Sequence, residues 1–235
     1  MNLDIRTGFA SSGLLATTAA MDLSESLKDY LARQDEVNLV LTGGTVGNLM
    51  LEALSAELVK VDLSKLQLWW GDERFVQKDS QDRNFVQAEK LLLSRLTIPK
   101  ENLHQMPSSE TLSLDQAAAQ FANEIELVAP LFDIVLLGMG ADAHVASLFP
   151  ELEGHSFGDW VIAQDRSPKP PKDRISLSYK ALCSASEVWF LVAGADKAQA
   201  VKRVFAGEDL PAAKVSGQKI TKWYLDQAAA SETTF

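Results

Sequence analysis

The chain has 235 residues, 46% hydrophobic and 23% charged, the make-up of an ordinary globular protein able to bury a sizeable core. Its 32 acidic and 22 basic side chains leave a formal charge of −10, a field that repels nucleic acid phosphates and anionic lipid and so disfavours nucleic acid and membrane partners. A single cysteine, Cys183, excludes an internal disulfide and a cysteine metal cluster, and the three histidines, His104, His144 and His155, lack metal-ligand spacing.

No apolar run approaches the ~20 residues that span a bilayer. The opening "MNLDIRTGFASSGLLATTAAMDL" carries Asp4 early and lacks a basic lead-in, so no signal peptide is expected and a reducing cytoplasm is the default compartment. Residues 13–33 have the periodicity of an amphipathic helix. "VNLVLTGG" (37–44) reads as a buried strand ending in glycines, "VGNLMLEALSAEL" as a helix, and "LQLWWGDE" (66–73) as the next strand.

Helical spacing returns at residues 84–96 and 113–128. "FDIVLLGMG" (132–140) is the cleanest buried strand, followed by strands at 160–165, 174–179 and 186–194 and the helix "DKAQAVKRVFAG". "SPKPPKD" (167–173) is a surface loop, because proline suits neither a sheet interior nor a helix. Short strands alternating with longer helices, with no repeat and no linker, predict one α/β domain over residues 1–235, its sheet mostly parallel and flanked by helices.

Four unusual segments each follow a predicted strand: "GGT" (43–45), "GDER" (71–74), "GMGADAH" (138–144) and "GADK" (194–197). In a parallel sheet those ends share one edge, where ligands of open α/β sheets bind. Gly43 and Gly44 let backbone amides approach a ligand, and Thr45 is placed to cap a helix starting at Val46, an arrangement suited to an anion. The lysine of a Walker loop is absent.

Arg74 offers a bidentate fork to phosphate or carboxylate, with Asp72 and Glu73 orienting it or meeting sugar hydroxyls. Lys197, in the first turn of a helix, opposes the helix dipole and suggests a bound anion. Arg174 is a further basic contributor, with a surface ion pair as its alternative role.

"GMGADA" matches the glycine pattern of a dinucleotide turn, with Asp165 beyond it. Pro150, Gly154 and Gly158 leave room for barely two helical turns there, so that reading falters. A histidine at the start of a short helix beside a carboxylate suits proton transfer instead, which makes His144 and Asp142 the candidate catalytic pair. Ser147, three residues on, lacks a "GxSxG" elbow and is expected on the helix surface or against ligand. His104 and His155 are expected to be surface groups.

Together these residues, in order and approximate spacing, resemble the 6-phosphogluconolactonase family over nearly the whole chain, from "LTGGT" through "WGDERFV", "GMGADAHVASLFP" and "VWFLVAGADKAQAV" to "KWYLDQAA". The resemblance implies a Rossmann-like α/β fold related to glucosamine-6-phosphate isomerase/deaminase, with no metal and no organic cofactor. It implies hydrolysis of 6-phospho-D-glucono-1,5-lactone to 6-phosphogluconate in the pentose phosphate pathway, by a monomer or small homo-oligomer.

It implies, too, that His144 is the general base and that Arg74 and Lys197 hold phosphate with help from Gly43–Thr45. Asn84 is retained from the family's "DSDSNY"-like stretch, here "DSQDRNF", where Arg83 is added and expected to face water. Backbone amides around Gly140 to Ala143 are the expected oxyanion donors.

The family's glycine before the histidine is Ala143 here and its usual threonine after it is Val145. A positive φ at position 143 would strain an alanine. Two rival readings remain. An amino-sugar phosphate isomerase/deaminase would need a glutamate where this chain has Phe149, and a catalytically silent sugar-phosphate sensor would draw its support from Ala143.

Overall fold

A computed structural model describes residues 2–128, 130–150, 152 and 158–235. In chain order, β1 (Asn2–Phe9) leads to α1 (Ser12–Arg33), β2 (Val37–Leu41), α2 (Gly44–Leu58), β3 (Leu66–Trp70) and β4 (Asp72–Arg74). There follow α3 (Asn84–Leu91), α4 (Leu114–Val128), β5 (Phe132–Gly138), β6 (Val161–Gln164) and β7 (Arg174–Leu177). The chain closes with α5 (Tyr179–Cys183), β8 (Glu187–Val192), α6 (Ala198–Phe205), α7 (Pro211–Lys214) and β9 (Ile220–Asp226).

Six strands form one sheet in the order β1-β9-β8-β5-β2-β3, and every pairing in it is parallel. Its central strands are apolar on both faces because both are covered. Leu39, Leu41, Ile134, Leu136, Trp189 and Leu191 pack with α1 and α2 on one side. The alternating partners Val40, Val135, Leu137, Val188 and Phe190 pack on the other with α4, α6 and the second sheet. That two-residue alternation is the pleat read directly from sequence. No helix of the described residues is long and apolar enough to cross a membrane.

The structure corrects several expected elements. Residues 66–73 are not one strand: Gly71 donates to the Leu41 carbonyl and accepts from Leu177, passing the backbone from the parallel sheet into β4. β4 belongs to a second, three-stranded antiparallel sheet ordered β4-β7-β6. The helix expected over 84–96 ends at Leu91, with a 3-10 turn after it. β1 and β9 are strands beyond those the sequence predicts. β1 is an exposed edge with interspersed polar residues and no apolar run to betray it.

Candidate active site

A pocket of about 510 Å³ opens at the carboxyl edge of the parallel sheet. The four strand-end segments meet there. Gly43, Gly44, Thr45, Asp72, Arg74, Asn84, Gly140, His144, Arg174 and Lys197 all line it, and Asp142 stands behind His144.

Beyond β2, Gly43 is the N-cap of α2 and Gly44 takes φ +82°, a conformation that favours glycine. Thr45 therefore lies inside the first turn and is not the cap. No side chain caps this helix, so the first-turn amides have no intrahelical acceptor and the positive end of the dipole faces the pocket.

Beyond β3, Asp72 is a buried hub. Its Oδ2 accepts from the Ser147 hydroxyl at 2.7 Å, and its carbonyl accepts from Asn84 Nδ2 at 2.8 Å. Glu73 turns away from the pocket. Its carboxylate accepts from the amides of Arg74, Asn84 and Phe85 and pairs with Arg83 at 3.3 Å. Burial pushes the Glu73 carboxyl up, with Arg83 and those amides opposing. Arg83 is thus a buried structural partner, 3% exposed, and does not face water. The Arg74 guanidinium donates to the Asp82 carbonyl while its Nε is buried without a partner among the described residues.

Beyond β5, the chain does not enter the short helix expected at His144. Ala143 (φ 66°) and Ala146 (φ 49°) are both left-handed, which breaks a helix. The Gly140 amide donates to the His144 carbonyl at 2.9 Å and the Ala143 amide to the Gly140 carbonyl at 3.0 Å. Those two amides are consumed in holding the turn, so they are not available as oxyanion donors. Ser147, instead of lying on a helix surface, is fully buried beneath the turn.

His144 Nδ1 lies 2.5 Å from Asp142 Oδ1, and the His144 amide donates to the same oxygen at 3.2 Å. Burial raises the Asp142 carboxyl, but the hydrogen bond and charge of His144 outweigh it and hold the group at about 2. An ionised carboxylate only accepts, so Nδ1 carries the proton and Nε2 is left as the basic nitrogen. Gly140 makes room for this pair: a Cβ there would sit 2.0 Å from His144 Nδ1 and 2.4 Å from Asp142 Oδ1.

Beyond β8, Lys197 lies in a 3-10 turn just ahead of α6, with Nζ 2.9 Å from Asp196. Arg174 is not in a surface ion pair. It is 6% exposed, burial lowers its guanidinium, and Nη1 lies 3.9 Å from Asp72 Oδ2.

His104 is also buried, stacked on Trp69 with ring centroids 3.7 Å apart and bound to Glu124 and Gln67. It is a core group remote from the pocket lining. His155 lies outside the described residues. Asp165, the acid of the dinucleotide pattern, pairs with its neighbour Arg166 in solvent.

Pocket residues that sequence reasoning missed include Ser12 at the start of α1, Lys169 in the proline loop, and Asp226 at the end of β9, which accepts from the Gly194 amide at 3.0 Å. None of these three sits in a glycine-rich strand end, the signal that found the candidate site residues. Among the described residues no group of three or more His, Cys, Asp or Glu is placed to hold a metal ion.

Four cations and three carboxylates line the pocket of a chain whose formal charge is −10. A Rossmann-like parallel sheet with an anion-attracting pocket and an aspartate-held histidine at its strand ends defines an α/β protein built around a small anionic ligand. The chain belongs to the glucosamine-6-phosphate isomerases/6-phosphogluconolactonase family, whose model matches residues 10–223.

It is 41% identical to a 6-phosphogluconolactonase of Streptomyces coelicolor, over 93% of this chain and 90% of that protein. With a 6-phosphogluconolactonase of Mycobacterium tuberculosis the identity is 39%, over 95% and 96% of the two chains. The crystal structure of 6-phosphogluconolactonase from Thermotoga maritima superposes with a TM-score of 0.88 at 28% identity, covering 96% of this chain and all of that one. A monomeric glucosamine-6-phosphate deaminase shares the fold at a TM-score of 0.80 and 17% identity.

Proposed function

We propose that the chain hydrolyses 6-phospho-D-glucono-1,5-lactone to 6-phosphogluconate in the oxidative pentose phosphate pathway, as a cytoplasmic monomer or small homo-oligomer needing neither metal nor organic cofactor. The observation that carries the reading is the His144–Asp142 pair at 2.5 Å beside the cationic wall of the same pocket. His144 Nε2 takes a proton from water as the water oxygen bonds to the lactone carbonyl carbon. The tetrahedral intermediate collapses by breaking the bond to the ring oxygen, which receives that proton.

Asp142 fixes the tautomer and steadies the imidazolium between the two proton transfers. Arg74 and Lys197, with the first-turn amides of α2, hold the phosphate and orient the reacting carbonyl. A base of this kind contributes about 10²–10⁴ in rate.

The isomerase/deaminase reading is less well supported. Where it requires a carboxylate, the Phe149 ring packs on His144 with centroids 4.7 Å apart. The silent-sensor reading rested on Ala143, yet that residue takes the left-handed conformation at φ 66° and leaves the His144–Asp142 bond intact. The test supplies freshly generated phospholactone to purified protein, following product through a coupled dehydrogenase, beside an ammonia assay on glucosamine 6-phosphate. Lactone turnover above the buffer rate without ammonia release supports the proposal; ammonia release, or lactone decay at the buffer rate, overturns it.

A further inference from the structure

Arg174 spends most of its donors on the proline loop. Its Nε donates to the Pro171 carbonyl at 2.8 Å, and Nη2 reaches the carbonyls of Lys169 at 3.3 Å and Pro170 at 3.4 Å. The Ser167 side chain clamps the same loop, its hydroxyl donating to the Lys169 carbonyl at 2.9 Å and accepting from the Lys169 amide at 3.3 Å. The backbone of Lys169 is therefore fixed at both its N–H and its C=O, and its side chain lines the pocket.

The ammonium of Lys169 has no hydrogen bond or ion pair among the described residues, whereas that of Lys197 lies 2.9 Å from Asp196. Both lysines act on that aspartate. The Asp196 carboxyl is held below its usual range first by the Lys197 hydrogen bond, against a desolvation that raises it, and further by the charges of Lys197 and Lys169. Lys169 and Lys197 thus line the same pocket as Asp196 from two different loops.

We propose that Lys169 is a phosphate-contacting residue of this site, meeting the ligand's phosphate from a different loop than Lys197, and that Arg174 is the positioning residue that holds its loop. This rests on the phospholactone reading above and deepens it, assigning the grip on a dianion to two loops. Bound phosphate would replace Asp196 as the partner of Lys197 and give the Lys169 ammonium a direct partner. The effect is confined to the phosphorylated end of the ligand, so it tunes binding and leaves the His144 chemistry alone.

The test measures binding of 6-phosphogluconate and of inorganic phosphate by calorimetry, at low and high salt, for the unmodified protein and for Lys169→Gln and Lys169→Arg. Binding needs no turnover, so failure of the lactonase assay and failure of this inference are read separately. At low salt Lys169→Gln is expected to weaken both ligands about twofold to fivefold, the range of one partly screened charge contact, with the loss shrinking as salt rises. Lys169→Arg restores most of it.

Where turnover is measured, KM for the phospholactone rises by the same factor, kcat holds, and unphosphorylated glucono-1,5-lactone is unaffected. Arg174→Gln should weaken phosphate binding, and adding Lys169→Gln to it should cost less than it does alone. Unchanged affinity in Lys169→Gln, or equal losses for the phosphorylated and unphosphorylated lactones, overturns the proposal.

Discussion

Arg74 and Arg174 are directly opposed across the antiparallel pairing of β4 with β7. Like charges at such a position destabilise a strand pair. Here the nearest carboxylate, on Asp72, lies 3.9 Å from Arg174. The charge of Arg74 accordingly bears on the buried Arg174 guanidinium, and a phosphate held by Arg74 is expected to offset that repulsion. Arg74→Gln should leave the ligand-free protein as stable as the parent or more so. It should also weaken phosphate-ligand binding about 10–100-fold, the worth of a lost charge-assisted hydrogen bond, with kcat within a few-fold. Thermal melts with and without phosphate check both halves; a less stable ligand-free variant contradicts the argument.

The Asp142 carboxyl, held at about 2 against an ordinary value of 3.8, is ionised throughout the neutral range. Its folded value is depressed, so the stability it contributes is complete above about pH 4 and is lost as the pH falls through about 2. Asp142 therefore gives kcat/KM no acid limb near neutrality, and any limb found there belongs to another group. Asp142→Asn should lower kcat about 10²–10⁴-fold by releasing the tautomer, yet retain a single acid limb. A pH–rate profile in which the limb vanishes with Asp142 would show that the carboxylate itself titrates in catalysis.

Gly140 has no space for a side chain. Its Cβ would fall 2.0 Å from His144 Nδ1, so Gly140→Ala must displace the ring or tilt the turn. Turnover should drop at least about 10²-fold, as for loss of the base, while circular dichroism and phosphate binding stay near those of the parent. Retained turnover would mean that the turn relaxes freely.

Ala143 sits at φ 66° with its methyl buried. Left-handed backbone costs an L-residue about 1–2 kcal/mol, and the buried methyl returns about 0.8 kcal/mol of that. Ala143→Gly should thus leave stability unchanged or raise it by up to about 1 kcal/mol, whereas Ala143→Val should destabilise clearly. Chemical denaturation measures both, and a strongly destabilised glycine variant would remove the strain argument.

The parallel sheet and the pocket were legible because both faces of the central strands are buried and each strand end carries glycines or charges. His144 stood out for the same reason. What remained hidden depends on tertiary partners. Arg83 finds Glu73 and His104 finds Glu124 only after folding, and so both looked like solvent groups.

The helix expected around Ser147 fails because nothing local in the sequence announces two left-handed alanines. Lys169 reads as an ordinary loop lysine until Arg174 draws its carbonyl inward. The three-residue β4 is too short to show a period, and with it went the second sheet.

The decisive experiment replaces His144 with alanine and compares phospholactone turnover, corrected for spontaneous decay, with 6-phosphogluconate affinity on the same preparations. A proton-accepting imidazole requires turnover to fall about 10²–10⁴-fold while affinity changes little. If turnover is undiminished in a folded variant, His144 is not the base, and the mechanism built on its bond to Asp142 is wrong.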